Sequence, residues 1–220
     1  MFDLTVRPYA PADRAAVHRI AADTAFFGQP VEAFLEDRRL FCDLFLRYYT
    51  DWEPEHGWVG CAGKEVVGFL MGCVDPRKHR RWSRQTLPKV VWRIVGGGYR
   101  LGPLTWHYLR ASIRARLGRE NPPVDLVAYP AHLHINVDAP WRGYGLGRRL
   151  LEAYLEQLRQ LGVPGVHLHT TSLNEAACQL YLRLGFRLLE ARRTHLWSHL
   201  VAQPVENRCY GLTLKEAYGT

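Results

Sequence analysis

Residues 141–150 read WRGYGLGRRL, with Gly143, Gly145 and Gly147 at alternate positions, Arg142 before them and Arg148 and Arg149 after. Such a run constrains the chain more than any other stretch here. Period-two apolar spacing in AHLHINV (131–137) predicts a strand before it. Leu150, Leu151, Tyr154, Leu155 and Leu158 predict a helix from about Gly145 to Leu161 after it. A helix beginning there has N–H groups without intrahelical acceptors and a positive dipole end. Glycines let ligand oxygens approach those N–H groups, and the arginines add positive charge at the rim, so the run has the makings of a pyrophosphate cradle. The spacing GxGxG departs from the dinucleotide fingerprint GxGxxG, and no lysine follows as a P-loop requires.

Around this unit the chain reads in order. DLTVRPY is a short strand, APADRAAVHRIAADTAF a helix, and Pro30 opens a second helical pattern through Phe34, Leu40, Phe41, Leu44, Phe45 and Tyr48. Two β-rich runs flank Ala62-Gly63-Lys64-Glu65 as a hairpin. After the glycine helix come a strand at 165–170, a helix from Asn174 to Leu184 ended by Gly185, and two strands in FRLLEAR and NRCYGLTL. That order implies a single α/β domain over 1–220 with a mixed sheet. Residues 76–123 differ in kind, with PRKHRRWSRQ, a GGG and a basic helical stretch; they read as a helical insertion whose Trp82, Trp92, Trp106 and Tyr108 would help select a substrate.

Composition narrows the partners. With 29 Lys+Arg against 21 Asp+Glu the net charge is +8, which favours anionic partners without choosing among them. The five cysteines are odd in number and form no CxxC, as suits a reducing, cytoplasmic setting. The amino-terminal stretch lacks the apolar region of a signal peptide. The longest apolar run, Val66 to Val74, is far short of the ~20 residues of a membrane span. A soluble protein with no membrane partner is therefore expected. Nucleic acid is not the expected partner either, since charge is its one support, and a homodimer is left open.

VDAPWRGYGLG (137–147) resembles the acetyl-CoA-binding motif of the GNAT acetyltransferases, [R/Q]xxGx[G/A] after a strand ending in Val. Asn174, Ala177, Tyr181, Gly185 and Phe186 match that family's NxxAxxxYxxxGF pattern downstream. The resemblance covers residues 130–190 strongly and the amino-terminal part loosely. YPAHLHINV and GVPGVHLHT are also similar to the acetyltransferase-like domain of some O-GlcNAcases and its free-standing bacterial relatives, where position 136 is often Asp rather than the Asn136 found here.

The resemblance implies a largely antiparallel sheet in which two central parallel strands, 131–137 and 165–170, splay apart to admit the pantetheine of acetyl-CoA. It implies an acetyl group moved to an amine by direct attack, with no metal. A catalytically weak or inactive binding module is the alternative. Backbone at Val137 and Ala139 would pair with the pantetheine. Arg142, Gly143, Tyr144, Gly145, Leu146, Gly147 and Arg148 would hold the pyrophosphate, and Asn174 would reach the pantetheine or cap its helix. Tyr181 would serve the departing thiolate as hydrogen donor. For the base, His132 and His134 share one sheet face with Asn136, as His167 and His169 do on the next strand. His134 is the residue named, with His132, Asp138 and His169 kept open. Two HxH pairs invite a metal reading, but nothing acidic alternates with them. Cys178, one turn before Tyr181, is read as packing.

Overall fold

A computed structural model describes residues 3–214. Seven strands form one sheet in the order β1-β2-β3-β4-β5-β7-β6. They are β1 (Leu4–Pro8), β2 (Gly57–Ala62), β3 (Glu65–Cys73), β4 (Ala131–Val137), β5 (Gly165–Thr171), β6 (Arg187–Thr194) and β7 (Val205–Thr213). All neighbours are antiparallel except β4 and β5, and these pair only at Ala131–Val166 and His132–His167. Beyond His132 the two strands part. The fold class expected from the sequence is thus the one observed.

The helices are α1 (Arg14–Asp23), α2 (Arg38–Phe45), α3 (Arg47–Asp51), α4 (Pro76–Val95), α5 (Pro103–Leu117), α6 (Leu146–Gln160) and α7 (Glu175–Arg183). The single helix expected after Pro30 is instead a 3-10 turn at 31–33 followed by α2 and α3. Asp37 explains the break. Its carboxylate accepts from the N–H of Arg39 (2.7 Å) and Leu40 (3.0 Å), an N-cap that starts a new helix.

One sheet face is covered by α6 and α7. Leu146, Leu150, Leu151, Tyr154, Leu155 and Leu158 bury the stripe of α6 against Val67, Leu70, Leu133, Val166 and Leu168, and Cys178, Tyr181 and Phe186 join the same core. The other face carries α1 and α3, with Val17, Ile20 and Tyr49 against Phe69 and Met71. Three glycines let α6 sit close. A Cβ on Gly60 would lie 2.6 Å from Leu146 Cδ1, one on Gly68 would lie 3.1 Å from Leu146 Cδ2, and one on Gly72 would enter the Tyr154 ring. The Tyr154 hydroxyl crosses that contact to donate to the carbonyl of His132 at 3.1 Å.

Gly72→Ala is therefore expected to lower stability by about 1–3 kcal/mol through overpacking against Tyr154, read as a lower urea midpoint with an unchanged slope.

Candidate active site

The glycine run makes the turn that launches α6. Gly143 (φ +84°) and Gly145 (φ +79°) hold left-handed backbone, and a Cβ on either would meet nothing within 4 Å, so both border open space. Gly145 is the N-cap, and no side chain caps the helix. The first helical bond runs from Arg149 N–H to the Gly145 carbonyl at 3.1 Å, which leaves the preceding turn's N–H groups without intrahelical acceptors. Gly147 differs. It lies within the helix, and a Cβ there would stand 3.5 Å from Leu180, 3.9 Å from Val137 and 4.0 Å from Ile135. Its smallness serves the place where α6, α7 and β4 converge.

That place is the mouth of the gap between β4 and β5. Asp138 N–H bonds the Val67 carbonyl at 2.9 Å, so the antiparallel alternation turns even-numbered residues of β4 toward β3. The backbone groups of Leu133, Ile135 and Val137 then face β5; the Leu133 N–H completes the last pairing with His167, while the Leu133 carbonyl and the groups of Ile135 and Val137 open on the gap. The Val137 carbonyl accepts from Arg142 Nε at 3.0 Å. Ala139 lies beyond the strand in a 3-10 turn, and its N–H goes to the Asp138 carboxylate at 3.2 Å.

The arginines are more committed than their sequence suggests. Arg142 also reaches the Gly28 carbonyl at 3.4 Å, and so straps the loop after α1 to β4. Arg148 pairs with Glu152 at 2.7 Å on an exposed surface, a weak tie. Arg149 donates to the Leu4 carbonyl at 2.5 Å. Leu146 is buried, and Tyr144 is exposed beside Trp141 at a ring separation of 6.5 Å. Asn174 occupies the N-cap position of α7 without capping it. Its side chain is exposed and makes a 3.5 Å contact to Thr170 Oγ1.

Tyr181 projects from α7 into the α6 side of the sheet, 5% exposed, with its ring 5.9 Å from Phe186 and 5.8 Å from Tyr210. Its hydroxyl makes no hydrogen bond among the described residues. Burial first, then Cys178 and Tyr210, push its pKa up, so the phenol stays protonated. Cys178 is buried and leans on the Thr171 carbonyl at 3.7 Å, a packing role.

The histidines line the opposite face. Tyr49 of α3 sets its hydroxyl between two of them, 2.7 Å from His132 Nε2 and 3.0 Å from His134 Nε2. One hydroxyl proton cannot serve both, so Tyr49 donates to one ring and accepts from the other, which fixes opposite tautomers. Ring centroids of His79, His132, His167 and His169 form a chain with spacings of 5.3, 5.6 and 5.6 Å. His134 and His169 are exposed to solvent. Burial and then the neighbouring imidazoles lower both to about 4. The rings do not gather as a metal site: among the described residues only Glu53, Glu55 and His56 bring three ligand atoms within 4.8 Å. Asp138 is engaged by Arg19 at 2.9 Å.

Asn136 has a structural reason. Thr24 Oγ1 spends its proton on the Ile20 carbonyl (2.7 Å), so position 136 must supply a donor, which Asn136 Nδ2 does at 2.7 Å. A carboxylate there would set acceptor against acceptor. Several participants were not foreseen, among them Tyr49, His79, Arg19 and the loop carrying Phe27, whose backbone is left-handed at φ 50°. Of the insertion's aromatics, Trp82 is buried against Tyr48, and Tyr108 stacks on Trp197 (5.8 Å). Trp92 and Trp106 face outward.

A helix-launching glycine turn at the mouth of a split parallel pair, with a phenol on one face and imidazoles on the other, defines an acyl-transferase class of site. Residues 115–186 match the Acetyltransferase (GNAT) family. SsHAT, a solved structure, is 32% identical over 97% of this chain and 99% of its own, with TM-score 0.71. YncA of Salmonella typhimurium, described as a putative acetyltransferase with its cofactor acetyl-CoA, shares the fold at 14% identity, 99% and 98% coverage and TM-score 0.58. Mycothiol acetyltransferase of Nocardiopsis dassonvillei is 50% identical over 54 residues, 24% of this chain and 16% of that protein. N-alpha-acetyltransferase RimI of Mycobacterium tuberculosis is 41% identical over 81 residues, 37% of this chain and 46% of that protein. The matched stretch thus spans less than half of these curated relatives. The chain belongs to the GNAT acetyltransferase family.

Linkage sets the sign of a pH effect. Between pH 6.5 and about 4, His134 and His169 bind fewer protons folded than unfolded, so stability is fully present above 6.5 and falls as pH drops through that window. Urea midpoints measured across it should decline, and His134→Gln should flatten the decline; an unchanged slope would show that His134 is not depressed.

Proposed function

We propose that this chain transfers an acetyl group from acetyl-CoA to an amine by direct attack, in one domain that includes an inserted helical segment at 76–123. The observation that carries the reading is the unpaired inner edge of β4 opening beside the uncapped end of α6. The co-substrate supplies an activated thioester. Its diphosphate suits the N–H groups of 145–148, and Gly143 and Gly145 keep that approach free of side chains. Arg148 can leave its exposed pair with Glu152 for a phosphate oxygen. The gap-facing groups of Leu133, Ile135 and Val137 suit pantetheine amides, which would bond there as an added strand does. Asn174 offers its exposed carboxamide at the same mouth.

Acceptor and leaving group lie on opposite faces. His134, neutral at physiological pH, would donate its Nε2–H to Tyr49, which donates to His132, and so leave Nδ1 to accept a hydrogen bond or proton from the attacking amine. An imidazole drawn to about 4 holds a proton poorly and releases it to the solvent to which His134 is exposed. Tyr181 sits across the sheet, protonated and without a partner, and donates to the departing sulfur. The five buried free thiols suit a reducing, cytoplasmic setting. The narrower likeness to O-GlcNAcase acetyltransferase-like domains rests on YPAHLHINV and GVPGVHLHT alone.

Tyr181→Phe should lower turnover about 10²-fold or more while acetyl-CoA affinity by calorimetry stays near that of the parent. A thiol-release assay across an amine panel provides the readout. Unchanged turnover would remove Tyr181 from the chemistry, and release with no amine in the panel would leave a binding module.

A further inference from the structure

The positive charge of this protein is concentrated in one segment. Residues 76–119 contain 12 Lys+Arg and no Asp or Glu, while the rest of the chain holds 17 Lys+Arg against 21 Asp+Glu. The segment forms α4 and α5, and α4, at 20 residues, is about 30 Å long.

Charge and apolar surface share one face of α4. Arg77, Arg80, Arg81 and Arg84 follow helical spacing and wall an open recess with Gln85; their guanidinium groups make no ion pair among the described residues. Three and four residues on, the same face continues as Leu87, Val91, Trp92 and Val95, which are 56%, 49%, 78% and 76% exposed. The opposite face carries the buried Trp82 and Val90 that pack α4 onto the domain. In α5, exposed Trp106, Ile113 and Leu117 recur at helical spacing with Arg110 and Arg114 among them.

We infer that this outer face of α4 docks the protein on the surface of an anionic phospholipid membrane, the arginine half against headgroup phosphates and the Leu87–Val95 half entering the headgroup–acyl boundary. An exposed helix with unpaired arginines and a solvated Trp–Val–Leu stripe has the composition of an interfacial helix. Phosphates of a nucleic acid would match the arginines but give Leu87, Val91 and Val95 nothing to bury against. A second copy of this chain would bury the aliphatic stripe but bring two acid-free, multiply charged segments together. Among the described residues no helix is long and apolar enough to cross a membrane, so contact is peripheral. The inference sets aside the expectation of no membrane partner, which rested on the lack of a span. It does not depend on acetyl transfer.

Co-sedimentation of the full chain with phosphatidylcholine vesicles, and with vesicles of equal phosphatidylcholine and phosphatidylglycerol, tests it. The chain should pellet with the mixed vesicles at low salt and not with the neutral ones. Arg81→Ala with Arg84→Ala should weaken binding about tenfold or more and flatten its salt dependence. Trp92→Ala should weaken it several-fold with the salt dependence kept. All three positions are exposed, and circular dichroism confirms that the variants fold. Failure to pellet with mixed vesicles, or equal pelleting with neutral ones, overturns the inference. So does a stable dimer lost on Trp92→Ala, or displacement by polyuridylate with Trp92→Ala changing nothing.

Discussion

Everything at the candidate site depends on β4 and β5 ceasing to pair after His132. Each strand keeps its outer partner, β3 along β4 and β7 along the full length of β5, so the sheet survives the split. The inner edges lose theirs. Backbone N–H and C=O groups removed from a ladder must find other partners, and an edge opened inside a sheet is a place where a ligand can supply them. The split also gives the site two faces. Odd-numbered side chains of β4 meet α6 and even-numbered ones meet α1 and α3, so the Tyr181 phenol and the imidazoles lie on opposite faces of one sheet.

The face opposite α6 is lined with imidazoles kept neutral by burial and then by one another. His132 lies well below its usual pKa through burial and then through the neighbouring His134, His167, His79 and His169. Protonating any one ring raises the cost of protonating the next, so this face resists positive charge. Tyr49, held between His132 and His134, couples the tautomers of the two rings.

Much of this was legible in the chain. The glycine turn and the period-two alternation of 131–137 locate the strand–turn–helix unit, because each is a local constraint on backbone or face, whereas the split pair and Tyr181 follow from the family resemblance of 137–147 and of Asn174 to Phe186. What stayed hidden is long-range. The Asp37 cap that divides the helix after Pro30 resembles any aspartate within a basic helical run. The placement of β7 between β5 and β6 depends on strand pairing, on which local periodicity is silent. Tyr49 reaches His134 across 85 residues of sequence. Arg142 reads as a phosphate ligand, yet its guanidinium is spent on the carbonyls of Val137 and Gly28.

That use of Arg142 decides what the gap has left to offer. By covering the Val137 carbonyl it removes an acceptor from the inner edge of β4 and leaves that residue's N–H pointing into the gap. The Ala139 N–H is already taken by Asp138, so the available donors are those of Ile135, of Val137 and of the turn at 145–148, reinforced by the helix dipole. A corner rich in donors suits phosphoryl and carbonyl oxygens better than cations, which is the physical basis of the proposed reading. Gly143 and Gly145 leave the approach to those donors free of side chains, and Arg142, bonded to the Val137 carbonyl, holds the turn against β4.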